Sequence, residues 1–269
     1  MPTLTAGNTG LLKHASNVTG CALAIQEAFE QAGYPIGCFQ TLLANHNSIE
    51  AIIANDTVQA VSLTGSEKAG ISIASSASKV LKKSVLELGG NNACIILDDA
   101  DLEKHMDTIV NARFQNTGQS CIAAKRFIVT EGIYDTFLKQ FKSKVEALHF
   151  DNPLNETTTT STLARPDLAE DLQKQVDASI KKGAKVLIGN QRKEAFFEPT
   201  ILTEVTEHMA VFKEETFGPV APVIKAKNAD HAFALATNSR FGLGTMVFTK
   251  NIRAAKKRII DIPRWRILY

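Results

Sequence analysis

Two side chains stand out for the chemistry they could perform, the thiol of Cys121 and the carboxylate of Glu87. Cys121 closes the run Gln115-Asn116-Thr117-Gly118-Gln119-Ser120 and precedes Ile122-Ala123-Ala124. A cysteine approached by small polar residues can serve as a covalent nucleophile if a separate base is at hand. Unpaired cysteines are also commonly buried apolar residues, so the residue type leaves both roles open. If a helix begins at or near Cys121, its dipole would favour a thiolate and its free N–H groups would face an oxyanion. Glu87 lies at the carboxyl end of an expected strand, Ser84 to Leu88, just before Gly89-Gly90. Val85, Leu86 and Leu88 give it an apolar surrounding that suits a general base, although a carboxylate at a strand end can simply face solvent.

A second chemical signal precedes that strand. Thr64-Gly65-Ser66-Glu67-Lys68-Ala69-Gly70 follows one apolar strand and opens a helix through Ile71, Ile73, Ala77 and Leu81. A glycine turn there brings backbone N–H groups and a helix dipole to a phosphate. The spacing G-x-x-x-x-G falls short of the dinucleotide fingerprint G-x-G-x-x-G, so a phosphate site and a plain tight turn both remain open. Asp98, Asp99 and Asp101 read as an acidic helix start, not a metal cluster. The six histidines are scattered with no pair at i, i+4 spacing, and no metal site is expected.

The elements that would carry these groups alternate. Strands are expected at Thr9 to Lys13, Phe39 to Leu43, Val58 to Leu63, Ser84 to Leu88 and Cys94 to Leu97. Helices fall between them, one starting at Asn17 and running through Cys21, Leu23, Ile25 and Phe29, another capped by Ser48. Strand and helix in alternation imply a parallel sheet with crossover helices, an α/β fold, and in such sheets ligands bind beyond the carboxyl ends of the strands. Further on, a strand from Phe127 to Thr130, helices through Tyr134 to Val145 and Leu168 to Ile180, and a strand at Lys185 to Ile188 continue the pattern.

Composition narrows the function classes. The chain has 269 residues, 44% hydrophobic and 22% charged, with a formal net charge of +2. That charge is too small and too evenly spread to argue for nucleic acid or an anionic membrane surface. No apolar run approaches the roughly 18 residues that would span a bilayer. Cys21, Cys38 and Cys94 lie in apolar patterns and read as structural; no C-x-x-C spacing and no secretory signal accompany them, which fits a reducing cytoplasm.

Glu87-Leu88-Gly89-Gly90 followed by Gly118-Gln119-Ser120-Cys121, and then Glu214-Glu215-Thr216-Phe217-Gly218-Pro219-Val220, resembles the three ordered signatures of the aldehyde dehydrogenase superfamily. The likeness runs from Ala6-Gly7-Asn8 through Glu198-Pro199-Thr200 to Phe248, and is nearest to the bacterial succinate-semialdehyde dehydrogenases that use NAD or NADP. The resemblance implies a partial Rossmann-like dinucleotide-binding domain over 1–89 and an α/β catalytic domain over 90–269. It implies Cys121 as the nucleophile that forms a thiohemiacetal and then a thioester with the aldehyde, and Glu87 as the base that activates water to hydrolyse it. Lys13 and Ser16 would face the adenine ribose, Gly65 and Ser66 the pyrophosphate, with Gly70 allowing close packing. Leu88 would meet the nicotinamide through its backbone, Glu215 would hold the nicotinamide ribose and Phe217 would form an apolar wall beside it.

Departures from the pattern carry information. Ser16 stands where NAD-preferring relatives carry a glutamate, and a neutral residue there removes a charge that would repel a 2′-phosphate, so both NAD and NADP stay open. Gln115 stands where some succinate-semialdehyde enzymes place an arginine for the substrate carboxylate, and an amide cannot make that bidentate pair. Ser161-Thr162 replaces a Gly-Pro. The family's enzymes are longer, by about a hundred residues before Met1 and several tens after Tyr269, set against ordinary domain sizes. Ile262 to Tyr269 matches nothing in the family's usual course. A homo-oligomer is implied, with the pairing strand absent from this sequence, and weakened activity is expected. A non-catalytic remnant that associates with a full-length relative is the alternative, and a cysteine hydrolase without redox chemistry ranks last.

Overall fold

The computed structural model describes residues 2–260 and 266–267. The chain divides into two compact units, Met1–Leu88 and Gly89–Tyr269. In the first unit, β1 (Gly10–Leu12) pairs in parallel with β2 (Phe39–Thr41), and β3 (Ala60–Thr64) in parallel with β4 (Lys83–Glu87). Each pair is joined by a crossover that contains a helix, Thr19–Gln31 in one case and Glu67–Lys79 in the other. The first helix is held by Phe29, whose ring stacks on Phe39 at 5.0 Å, and by Thr41, whose hydroxyl donates to the Ala22 carbonyl at 2.8 Å. It ends where Gly33 takes a φ of +80°, a left-handed step that glycine makes without steric cost.

Three expectations change in this unit. The helix Glu67–Lys79 stops before Leu81, which turns to φ 55° and lies 94% exposed, so Leu81 belongs to the helix end and not to its apolar face. Cys21 is exposed, because the buried face of its helix is narrow and centres on Ala22. Val85 is 61% exposed and Glu87 is exposed, so the apolar surround expected from Val85, Leu86 and Leu88 does not form around that carboxylate.

The second unit is built on β5 (Asn92–Ile96), β6 (Ala124–Thr130), β7 (Lys185–Ile188), the short β8 (Arg192–Lys193) and β9 (Phe196–Phe197), β10 (Thr200–Thr203), β11 (Val220–Ala226), β12 (Gly244–Phe248) and β13 (Arg266–Ile267). Among the described residues its main sheet has the order β13-β12-β5-β6-β11-β10-β7, parallel throughout except for β7, which runs antiparallel to β10 at the edge. Only Arg266 and Ile267 of the divergent ending at Ile262 to Tyr269 belong to the described residues, and the rest of that expectation lies outside them.

β5 and β6 are buried along their whole length, as strands covered on both faces must be. Successive side chains of β5 enter opposite cores. Ala93 and Ile95 pack with Leu172 and Val176 of the helix Pro166–Ile180 and with Ala232 and Phe233 of the helix Ala229–Thr237. Cys94 and Ile96 pack with Met106 and Ile109 of the helix Leu102–Phe114 and with Phe137 and Phe141 of the helix Tyr134–Glu146. Asp101 caps Leu102–Phe114 by accepting from the Lys104 N–H at 3.1 Å, and Asp98 accepts from the Thr130 hydroxyl at 2.6 Å. Among the described residues no group of His, Cys, Asp and Glu could hold a metal ion, and no helix is long and apolar enough to cross a membrane.

Candidate active site

Cys121 sits on the short link between the helix Leu102–Phe114 and β6. No helix begins there. A 3-10 turn, Gln115–Gly118, comes first, and Cys121 and Ile122 then turn into β6. No helix dipole therefore acts on the thiol, and the positive charge in its neighbourhood comes from a side chain. Lys125, on β6, returns its ammonium toward the link and donates to the Ser120 carbonyl at 2.7 Å and the Cys121 carbonyl at 2.9 Å. Its third contact is Glu215 Oε1 at 3.0 Å. The Asn92 amide at the start of β5 donates to the same Cys121 carbonyl at 3.0 Å, while its oxygen accepts from the Gly244 N–H at 2.8 Å.

The link itself is held in an uncommon backbone shape. Asn116, Thr117 and Gly118 have φ of 53°, 56° and 74°, a run of left-handed residues that β-branched Thr117 would not adopt unaided. Thr117 Oγ1 accepts from the Ser161 N–H at 3.0 Å, and Gln119 Oε1 accepts from the Ala164 N–H at 2.8 Å. Both partners on the 161–164 segment are backbone groups, so the Ser161-Thr162 departure leaves the support intact. At Gly118 a side chain would run into the Gly218 carbonyl, which makes glycine a requirement of space as well as of φ.

Glu215 lies beside the Gly89-Gly90 turn. Its Oε1 accepts from the Gly90 N–H at 3.2 Å as well as from Lys125, and a side chain at Gly89 would occupy the place of its other oxygen. Phe217, 40% exposed, holds its ring centroid 5.8 Å from the Lys125 Nζ. Beneath them Arg113 is fully buried and donates to the carbonyls of Ala124 at 2.9 Å and Thr216 at 2.9 Å, and to that of Gly218. Burial pulls the Arg113 guanidinium down to about 9, with Glu215 pulling it back up. Burial likewise brings the Lys125 ammonium down to about 8; Glu215 raises it, Arg113 lowers it and Cys121 raises it. Cys121, Glu215 and Phe217 are thus gathered around Lys125 within one unit.

In the first unit, Lys13 and Ser16 follow β1, Gly65, Ser66 and Gly70 follow β3, and Glu87 and Leu88 close β4. A cavity of about 410 Å³ is lined by Lys13, His14, Cys21, Ser62 and Thr64, at the carboxyl ends of β1 and β3. Lys13 donates to the His14 carbonyl at 2.7 Å, and His14 Nε2 is buried without a hydrogen-bond partner. Ser66 caps the helix Glu67–Lys79 by accepting from the Ala69 N–H at 3.3 Å. A side chain at Gly70 would sit 2.7 Å from Leu88 Cδ2, so that glycine serves helix-to-strand packing. A cavity at strand ends, a nearby ammonium, an orphaned imidazole nitrogen and a helix N-terminus form a donor set that fits a dinucleotide.

Sequence reasoning missed Asn92, Arg113, Lys125 and the fully buried Arg126. Arg126 donates to the carbonyls of Asn91 at 3.1 Å, Leu235 at 3.0 Å and Ala236 at 2.9 Å, and lies 5.0 Å from the Phe212 ring. A signal existed for two of them. Lys125-Arg126 interrupts the otherwise apolar run of Ala123 to Val129, and charges inside a buried strand require partners.

The aldehyde dehydrogenase family profile matches residues 1–262. A Mycobacterium tuberculosis (strain ATCC 25618 / H37Rv) protein named succinate-semialdehyde dehydrogenase (NADP(+)) 1 is 43% identical over 264 residues, covering 97% of this chain and 58% of its own length. A Synechocystis sp. (strain ATCC 27184 / PCC 6803 / Kazusa) protein named probable succinate-semialdehyde dehydrogenase (NADP(+)) is 45% identical, with 97% and 58% covered. Among solved structures, a succinic semialdehyde dehydrogenase from Streptococcus pyogenes in complex with NADP+ superposes with a TM-score of 0.95 at 33% identity, covering 99% of this chain and 60% of that one. The chain thus spans about 58% of the length of these curated relatives. With its three signatures and a family match over residues 1–262, the chain belongs to the aldehyde dehydrogenase family.

Proposed function

We propose that the chain takes part in oxidising a small aldehyde to the carboxylic acid, with succinate semialdehyde as substrate and NADP as the preferred acceptor. The observation that carries this reading is the Cys121 link, fixed at its carbonyl by Asn92 and Lys125 and joined through Lys125 to Glu215. The names of the relatives supply the substrate and the acceptor. The neutral Ser16 supports the choice of NADP, because nothing charged there opposes a 2′-phosphate.

Cys121 attacks the aldehyde carbon as thiolate, and its own backbone N–H is assigned as an oxyanion donor to the tetrahedral adduct. The bound dinucleotide supplies the acceptor for the hydride that converts this adduct to a thioester. Glu87 takes a proton from the water that hydrolyses the thioester and frees the thiol. Lys13 and Ser16 bind the adenine ribose, Gly65 and Ser66 the pyrophosphate and Leu88 the nicotinamide amide, while Glu215 orients the nicotinamide ribose and Phe217 shields its face.

The experiment has a binding arm and a chemical arm. NADP at 100 times its Kd is expected to stabilise the purified chain by about 2.7 kcal/mol, read as a rise in Tm, and NAD by less at the same concentration. Formation of NADPH with succinate semialdehyde should vanish in Cys121→Ser. Glu87→Gln should retain a single stoichiometric burst but lose turnover. Absence of both NADP binding and NADPH formation in the unsubstituted chain would sink the proposal.

A further inference from the structure

We propose that Lys125 is a positioning residue that ties the link carrying Cys121 to the carboxylate of Glu215, so that the nucleophile and the cofactor-side acid are held by one ammonium. The assignment of Cys121 and Glu215 to opposite partners in the reaction rests on the function proposed above; the tie itself does not.

The geometry is complete. A protonated lysine carries three N–H donors and no acceptor. Lys125 has one acceptor for each, the carbonyls of Ser120 and Cys121 and Oε1 of Glu215, at 2.7, 2.9 and 3.0 Å. Its side chain is fully buried, so no water competes for these bonds. All three acceptors are shared with groups that shape the site. The Ser120 carbonyl also closes the turn under Cys121 by accepting from the Ala123 N–H at 3.2 Å, and Glu215 Oε1 also accepts from Gly90. Asn92 holds the Cys121 carbonyl from the other side at 3.0 Å.

The titratable groups facing Lys125 are Glu215 across the site, Arg113 from the helix Leu102–Phe114 and Cys121 from the link, with the Phe217 ring nearby. Burial has already brought the ammonium down to about 8. A neutral amine keeps two N–H donors for three acceptors, so deprotonation releases one of the contacts. The link should then loosen as pH rises through that range, without any change in the core strands.

The test needs neither dinucleotide nor aldehyde, so it stands apart from the question of activity. Amide hydrogen exchange of the free chain, followed by mass spectrometry on the peptide containing Gln119 to Ala123 and corrected for the intrinsic pH effect, reports the order of the link. In the parent chain protection of this peptide is expected to fall as pH rises through about 8. In Lys125→Met it should be lower by roughly tenfold already at neutral pH and independent of pH, since bonds to a charged group are lost. Glu215→Gln keeps the amine but removes the carboxylate that raises it, and its loss of protection should occur at lower pH than in the parent. Peptides from β5 and β11 serve as the control that each variant folds. Parent-like protection in folded Lys125→Met, or a parent profile that is flat across pH 6.5–9.5, would overturn the proposal. Loss of protection in the link and in β5 together would do so too, since Lys125 would then be a core residue only. If the profile is as expected and NADPH formation is absent, the proposed function fails and the tie remains.

Discussion

At the scale of single residues, the site combines groups of two kinds. Residue type alone left the roles of Cys121 and Glu87 open, and it was the three signatures that singled them out together with Glu215 and Phe217. Lys125 and Asn92 were not legible as site residues, because their work is done on backbone carbonyls, which any sequence possesses. Ser16 makes the sharpest residue-scale case. Ser16→Glu would place a carboxylate where an adenine-ribose 2′-phosphate is proposed to lie, and like charges in that range repel by about 1 kcal/mol or more. The Kd for NADP should rise roughly tenfold while that for NAD changes little or falls, which a fluorescence titration of the two dinucleotides would read. Equal effects on both would place the phosphate elsewhere.

At the scale of elements, the ends and links carry the information that periodicity does not. The helix Glu67–Lys79 closes with Leu81 in the left-handed region, its N–H donating to the Ser78 carbonyl at 3.1 Å while its side chain lies in solvent. A non-glycine residue there costs roughly 1–2 kcal/mol, and the exposed leucine gains no packing in return. Leu81→Gly is therefore expected to raise stability by about 1 kcal/mol, seen as a higher urea midpoint at unchanged slope. Gly118→Ala should do the reverse. Its methyl meets the backbone of Gly218, which is itself packed against Leu163 and Leu172, so the Cys121 link must move. We expect a loss of about 2 kcal/mol or more together with loss of Cys121-dependent NADPH formation. Parent-like stability would mean that the link yields more easily than its contacts imply. A helix does not form at Cys121 for a related reason. Small residues after a glycine can open a helix or a turn, and the choice fell to Thr117–Ser161 and Gln119–Ala164, contacts made across tens of residues of chain, together with the local bond from Lys125 to the Cys121 carbonyl.

At the scale of the whole molecule, three buried cations, Lys125 and Arg126 on β6 and Arg113 on the helix Leu102–Phe114 beside it, sit in a largely apolar interior. Lys125 sets a pH dependence whose sign can be worked out. The unfolded chain holds that proton up to 10.5, whereas the folded chain releases it near 8. Between those values the unfolded state binds more protons, so the contribution of Lys125 to stability rises with pH and is least below about 8. The parent should gain on Lys125→Met in urea midpoint as pH is raised from about 7.5 to 9.5, and a constant gap would mean that the folded chain keeps the lysine proton. By itself the sequence determined the α/β class, the alternation of strands and helices, and the family with its signature residues, because hydrophobic period, turn chemistry and short motifs are local properties of the chain. Only the tertiary structure decided the order of the sheet, the shape of the Cys121 link and the ammonium that holds it. Those depend on which carbonyls and carboxylates meet far from their place in the sequence, and a buried charge can be read only when its partners are in view.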